Sequence, residues 1–212
     1  MRDFIRRRRL AISVSGVLAI IGVGATIWAL GSHDSSGNLK AADTCNEGIF
    51  SSNLEPLERL LPHESSFHST WSRVATDTSF KITCDNRTSR GVVNMSAEMK
   101  NGNKKDWLAG LGSRNTSDAS AFKAGTSALA WRKQAAIYAE CKPHTEGSSY
   151  TAGFGRPYLS ITVTANGSAA SNDETAKEDL AQLASRIFFE AQLQTGCQED
   201  FTPPPEPPRM TQ

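Results

Sequence analysis

The sequence lacks an excess of charge of either sign. Its 212 residues carry 23 Lys and Arg against 22 Asp and Glu, a formal net charge of +1. The one basic run is at the start, where residues 1–9 hold five arginines and a single acid, Asp3. Proteins that bind nucleic acid usually present a basic patch or stripe on a folded domain. We therefore expect no nucleic-acid partner.

Metal-binding and catalytic motifs are lacking as well. None of the four cysteines stands in a C-x-x-C pair, and structural zinc sites need ligands at short spacing. No serine lies in a Gly-x-Ser-x-Gly elbow. His63 and His68 are five residues apart, whereas the two histidines of a zinc-protease helix are four apart. The sequence predicts no metal site, no cofactor and no catalytic residues.

One long apolar run is present, from Leu10 to Leu30, and its 21 residues include no charge. As a helix it would be roughly 30 Å long, the thickness of the hydrocarbon core of a bilayer. Arginines beside a span stay on the cytoplasmic side. The sequence thus predicts a cytoplasmic basic stub at 1–9 and a transmembrane helix at 10–31 that contacts the lipid bilayer. The C-terminal part would lie outside the plasma membrane. A cleaved signal peptide is the alternative interpretation.

All four cysteines lie in the part of the chain predicted to be exported. Widely spaced cysteines in even number are typical of disulfides in such domains. Four cysteines allow three connectivities. We favour Cys45–Cys84 and Cys141–Cys197, because each pair would join a helix end to a nearby strand.

Hydrophobic spacing predicts an α+β fold for this exported part. Apolar residues at helical spacing predict a short helix at 52–61 and a long one that ends before Gly196. Alternating or β-branched runs predict strands, with a hairpin of the first two, at 80–84, 91–99, 135–141 and 158–165. We expect an antiparallel sheet of about four to five strands, packed by the short N-terminal and the longer C-terminal helix, and preceded by the transmembrane helix.

Composition divides the rest of the chain. Residues 32–44 are mostly Ser, Gly, Asn, Asp and Ala, which predicts a flexible stalk. The extracytoplasmic domain would cover 45–198. Residues 199–212 include a run of prolines and would form a disordered, extended tail.

Two groups of residues are candidates for a function that the motifs do not reveal. Tyr150, Phe154 and Arg156 belong to a Gly-rich loop at 150–157, and aromatic residues beside Arg are typical of binding spots. A ligand-binding module that uses this loop is therefore one alternative function. An envelope enzyme with acid and base residues dispersed over loops is another alternative, and its candidate residues are Glu64, Asp77 and Glu146.

The layout resembles that of small exported actinobacterial proteins of unknown function. Arg6 to Arg9, the strand that ends at Cys141, and the closing helix before Gly196 and Cys197 carry this resemblance. It implies a bacterial cell-surface location and brings no activity or site residues. Our leading hypothesis is a membrane-anchored, non-enzymatic accessory or interaction domain with a membrane or envelope protein as its partner.

Overall fold

The computed structural model describes residues 45, 54–61, 66–76, 79–112, 116–141, 154–169, 174–195, 197 and 208–211. All of them belong to one compact unit, Gly37–Gln212. Its helices are α1 (Leu54–Leu60), α2 (Lys104–Gly110) and α3 (Glu174–Thr195), with a 3₁₀ turn at Thr116–Asp118. Its strands are β1 (His68–Thr76), β2 (Ser79–Arg87), β3 (Gly91–Asn101), β4 (Ser120–Ala121), β5 (Ser127–Trp131), β6 (Gln134–Glu140) and β7 (Pro157–Gly167).

The seven strands form one antiparallel sheet with the order β1-β2-β3-β7-β6-β5-β4. Strands β1 to β3 run as a meander to the centre of the sheet. The chain then crosses to the far edge, and β4 to β7 return strand by strand. The two halves join where β3 pairs with β7 over eleven residues, from Gly91 opposite Gly167 to Asn101 opposite Pro157.

One face of the sheet is apolar because successive side chains of a strand point to opposite faces. In β3 every second residue is buried, and Met95 and Ala97 lie opposite Val163 and Ile161 of β7. These residues belong to the main hydrophobic core, which also includes Phe80 and Ile82 of β2. Strands β2 and β3 therefore show the alternation that the sequence predicts for 80–84 and 91–99, whereas residues 157–161 of β7 are buried on both sides of the sheet.

Helices α3 and α1 supply the other side of this core. Leu183, Ile187 and Phe188 of α3 are completely buried in it, as is Leu57 of α1. Burying one such side chain contributes about 1.5–3 kcal/mol. The apolar face of the sheet and the apolar sides of the two helices therefore stabilise each other.

Two disulfides tie the chain to this core. Cys45 is bonded to Cys84 in β2, and Cys141, just after β6, is bonded to Cys197, just after α3. The pairs are 39 and 56 residues apart in sequence, and the chain-entropy model assigns each about 4 kcal/mol of stabilisation. The pairing favoured from the sequence is confirmed.

The fold prediction is wrong in the number of strands, since the sheet has seven strands and not four to five. Strand β1 has no buried residue, so it lacks the apolar alternation that reveals a strand. Strand β4 has only two residues, too few for any periodicity. The short β5 runs into the apolar stretch before β6, which the sequence leaves ambiguous.

The fold also shows no transmembrane helix in the part of the chain that is described. None of the described helices is long and apolar enough to cross a membrane. The predicted span at 10–31 lies outside the described residues, together with the predicted stub at 1–9 and the stalk at 32–44. Within the predicted disordered tail at 199–212, the described residues 208–211 lie against β4.

Candidate functional site

A row of hydroxyl groups crosses four neighbouring strands on the face of the sheet that points away from α3. The pairing register places Ser72 of β1 opposite Thr83 of β2, Thr83 opposite Ser96 of β3, and Ser96 opposite Thr162 of β7. Adjacent strands are about 4.8 Å apart, so the four hydroxyl groups form a nearly regular line. Such a line presents donors and acceptors together, because each hydroxyl can act as either.

A second polar row lies one step along the strands. Here Asp85 of β2 is opposite Asn94 of β3, and Asn94 is opposite Thr164 of β7. The Asn94 Nδ2 group donates a hydrogen bond of 2.6 Å to Asp85 Oδ1. We define the polar face as the six half-buried residues of these two rows on the three central strands: Thr83, Asp85, Asn94, Ser96, Thr162 and Thr164.

Two ion pairs lie on and beside the polar face. Arg87 Nη2 lies 3.3 Å from Asp85 Oδ2, and Lys100 Nζ lies 3.3 Å from Glu98 Oε2. Solvent-exposed ion pairs of this kind contribute little to stability. These pairs instead affect the charge of the surface, because each joins one acid and one base and so adds no net charge to the polar face.

Beyond β7 the same side of the sheet becomes apolar and is covered by α2. Trp107 of α2 is buried with Tyr138, Tyr158 and Trp131 in a second hydrophobic cluster. The ring centroids of Trp107 and Tyr138 are 5.7 Å apart, and those of Tyr138 and Tyr158 are 5.0 Å apart. These distances lie within the range of favourable aromatic pairs. The aromatic cluster therefore bounds the polar face on one side.

The tyrosines of this cluster stay protonated well into alkaline solution. Burial, together with the hydrogen bond that Tyr138 donates to Glu140 Oε1 at 3.2 Å, raises the pKa of Tyr138 to about 12. Burial also raises the pKa of Tyr158, and the nearby carboxylates of Asp106 and Glu98 add to the effect. Both phenols are therefore protonated near neutral pH and cannot act there as general bases.

Helix α2 was not predicted as a helix, although the sequence carries its start signal. Asn103 accepts hydrogen bonds from the backbone N–H groups of Lys105 and Asp106, and the Asp106 carboxylate accepts one from the Asn103 N–H. This reciprocal arrangement is a capping box. The Asn-x-x-Asp pattern at 103–106 could have located the helix, and hence the aromatic boundary of the polar face.

A buried ion pair lies on the opposite side of the sheet, between α1 and α3. Arg59 donates from Nε to both carboxylate oxygens of Asp179, at 3.0 and 3.1 Å, and from Nη2 to Oδ1 at 2.6 Å. Burial raises the pKa of Asp179, and the hydrogen bonds from Arg59 offset part of that rise. Arg59 also pairs with Glu55 one turn earlier on α1. This group links two helices, which is a structural role.

The structure describes two of the three residues predicted for the 150–157 ligand loop, and these two lie in different environments. Phe154 is half-buried and packs against the main hydrophobic core. Arg156 is exposed, and its backbone N–H donates a 2.8 Å hydrogen bond to Asn101 Oδ1. Tyr150 lies outside the described residues. The predicted use of this loop for ligand binding stays a prediction.

The acid and base residues of the enzyme alternative, Glu64, Asp77 and Glu146, all lie outside the described residues. In the described part of the chain no group of three or more His, Cys, Asp or Glu side chains could hold a metal ion. The four cysteines are all described, and each belongs to a disulfide.

Known proteins give no further guide to this arrangement. Comparison of the chain with protein-family models, curated proteins and solved structures finds no match. The resemblance to small exported actinobacterial proteins therefore stays a prediction. Functional inference rests on the polar face, whose rows exist only because β2, β3 and β7 are neighbours in the sheet.

Proposed function

We propose that this chain is a non-enzymatic interaction domain outside the plasma membrane that binds an envelope protein through the polar face. The observation that carries the proposal is the contrast between the two sides of the central strands. One side is filled by the main core and by α3, whereas the polar face on the other side is only half-buried. A half-buried polar surface remains available for contact with a second molecule.

Export is supported by the cysteines and by the start of the chain. Disulfides persist in oxidising compartments and are rare in the bacterial cytosol, and this domain has two. The arginines of residues 1–9 and the apolar run at 10–30 are consistent with a segment that contacts the lipid bilayer while the domain lies outside.

The chemistry of the polar face favours a reversible, hydrogen-bonded contact. Its hydroxyl and amide groups can exchange hydrogen bonds with water for hydrogen bonds with a partner, at small net cost. Asp85 is already paired with Arg87 and Asn94, so a charged partner would have to compete with these bonds. A partner surface with neutral polar groups fits best, as in the small, polar and transient class of protein interfaces.

The experiment is site-specific photo-crosslinking of the full-length chain in its native membrane. A photoreactive residue replaces Thr162, the β7 residue of the first polar row, or Leu193, which is 65% exposed on α3. We expect the Thr162 variant, and not the Leu193 variant, to form one adduct of discrete mass with an envelope protein. The adduct should disappear when Ser96, opposite Thr162, is also changed to lysine.

Two results would contradict the proposal. Adducts of equal yield from Thr162 and Leu193 would show that the chain has no preferred face. No adduct from Thr162, in a variant that retains both disulfides, would show that the polar face has no protein partner.

A further inference from the structure

Two asparagines of the sequence, Asn101 and Asn166, are followed directly by a glycine. Asn101 is the last residue of β3 and Asn166 is the second-last residue of β7, and both are exposed. Asparagine is chemically labile, most of all before glycine, which has no Cβ to hinder its nitrogen and lets the backbone bend. The two pairs are alike in sequence and exposure, so a difference in reactivity has to come from how the fold holds them.

The fold holds the first pair, Asn101 and Gly102, by two hydrogen bonds to the backbone of Arg156. The Gly102 N–H donates to Arg156 O at 3.0 Å, and Asn101 Oδ1 accepts from the Arg156 N–H at 2.8 Å. The first bond engages the backbone nitrogen that follows the asparagine, and the second fixes the asparagine side chain. Both bonds must break before these two groups can react with each other.

The second pair, Asn166 and Gly167, has no such bonds on the side of β3. The Ser168 N–H donates to Arg90 O at 3.0 Å, so Ser168 and Arg90 form a hydrogen-bonded pair. In an antiparallel ladder such pairs alternate with pairs that exchange no hydrogen bond. Gly167 opposite Gly91 is therefore a pair of the second kind, and the Gly167 N–H points away from β3.

The side of β7 towards β6 offers this N–H no partner either. The last backbone bond there is the one that the Ala165 N–H donates to Lys133 O at 3.0 Å. Lys133 precedes β6, and the chain there forms the turn that joins β6 to β5. In the part of the chain that is described, neither the Gly167 N–H nor the Asn166 side chain has a hydrogen-bond partner.

We propose that Asn166–Gly167 is a site of spontaneous deamidation, and that the fold protects Asn101–Gly102 from the same reaction. The Gly167 nitrogen attacks the side-chain carbonyl carbon of Asn166, and the new C–N bond closes a five-membered imide. The side-chain nitrogen of Asn166 leaves as ammonia and takes the proton that the Gly167 nitrogen gives up. Water then adds to one of the two imide carbonyl groups and opens the ring, which yields aspartate or isoaspartate.

The product places a negative charge at one end of the polar face. Alternate residues of a strand point to the same side, so the side chain of Asn166 lies on the side of Thr162 and Thr164. A carboxyl group at this exposed position is ionised at neutral pH. Deamidation therefore adds one negative charge beside a face whose two ion pairs carry none. Isoaspartate also lengthens the main chain before Gly167 by one carbon. Neither change depends on what the polar face binds.

The test is to incubate the full-length chain, with both disulfides intact, at mildly alkaline pH. Proteolysis and mass spectrometry then measure the aspartate and isoaspartate formed at each asparagine. We expect Asn166 to convert at least about tenfold faster than Asn101, because the bonds that hold Asn101 and Gly102 must first break. Asn166→Gln should form little product at this position, since its longer side chain would have to close a six-membered ring.

The matched control is the same chain unfolded in denaturant with its disulfides reduced. The hydrogen bonds to Arg156 are then lost, so Asn101 and Asn166 should convert at similar rates. Conversion of Asn101 in the folded chain as fast as that of Asn166 would overturn the proposal. So would a folded chain in which Asn166 is stable while the unfolded chain reacts. A ratio of the two rates that unfolding leaves unchanged would show that local sequence, and not the fold, sets the difference.

Discussion

The two faces of the central strands are built from the same segments but have different chemistry. On one face β2, β3 and β7 present Ile82, Ala97 and Ile161, which pair with one another across the strands and are completely buried. One residue further along, the same strands present Thr83, Ser96 and Thr162 on the opposite face, and these are half-buried. Stability is therefore concentrated on the first face, and the second face is free to be specialised for contact.

This comparison teaches where substitutions should matter. On the face covered by α3, removing an apolar side chain leaves a cavity that the surroundings fill only in part. On the polar face, removing a hydroxyl group leaves its neighbours in contact with water. The following predictions test this asymmetry, from the largest expected change in the free energy of unfolding to the smallest.

The largest effect is expected from Phe188→Ala in α3. Phe188 is completely buried in the main hydrophobic core, and truncating a buried Phe costs about 3–5 kcal/mol. Thermal or denaturant unfolding with both disulfides intact measures the change. The matched variant on the same helix is Leu193→Ala, which removes a side chain that is 65% exposed and should change the stability by less than about 0.5 kcal/mol.

The polar face supplies the other half of this test. Thr162→Ala should also change the free energy of unfolding by less than about 0.5 kcal/mol, while it weakens any contact made by the polar face. A loss of several kcal/mol in Thr162→Ala would contradict the division of roles between the two faces. A loss below 1 kcal/mol in Phe188→Ala would also contradict this division of roles, because it would show that the buried face contributes little to stability.

An intermediate effect is expected when the buried ion pair between α1 and α3 is broken. The side chain of Asp179 is only 3% exposed, whereas that of Arg59 is 35% exposed. Arg59→Ala leaves a buried carboxylate without its guanidinium partner and should cost about 2 kcal/mol at neutral pH, since the partly exposed pair is worth less than a fully buried one. Asp179→Asn should cost less, because Arg59 can turn to solvent.

The pH dependence of Arg59→Ala follows from the carboxylate that remains. Burial holds the pKa of Asp179 above its ordinary value of 3.8, and loss of Arg59 removes the groups that lower it. A carboxyl whose pKa is raised in the folded state destabilises the fold as the pH rises through that pKa. The deficit should therefore be smallest in acid and should grow as the pH rises above about 4. A pH-independent deficit would show that Asp179 is not the cause.

Much of this architecture can be read from the sequence, and the limits have physical reasons. Strands β2 and β3 and helix α3 are predictable because their apolar residues recur with the period of the element. Strand β7 is predictable from its run of β-branched residues, although both of its sides are buried at 157–161. Strand β1 is not predictable in this way, because its burial pattern contains no buried position. The disulfide pairing could be favoured once the helix ends and strands were located.

The polar face shows what a linear pattern cannot reveal. Its residues appear in the sequence as the polar half of three alternating strands, each of them unremarkable. They form two rows only because β7 pairs with β3, whose partner residues Ser96 and Thr162 are far apart in the chain. This pairing requires the chain to cross, after β3, to the far edge of the sheet where β4 lies. No local pattern in the sequence indicates that crossing.

Apart from the two surface variants that should leave the stability nearly unchanged, the smallest effect concerns the boundary where the outer side of the sheet changes from polar to aromatic. The pKa of Tyr138 is about 12 in the folded chain and near its ordinary value of 10.0 when exposed. Between these values the unfolded chain ionises and the folded chain does not. The stabilisation from Tyr138 is therefore complete below pH 10 and is lost as the pH rises towards 12.

Tyr138→Phe tests this boundary directly. The variant keeps the ring that packs between Trp107 and Tyr158, but it loses the hydrogen bond to Glu140, so it should be less stable by about 1 kcal/mol at neutral pH. Its stability should also fall less steeply between pH 10 and 12 than that of the native chain, as measured by denaturant unfolding at each pH. An equally steep fall in both chains would mean that the Tyr138 phenol is accessible to water. The aromatic cluster would then continue the polar face and would not bound it.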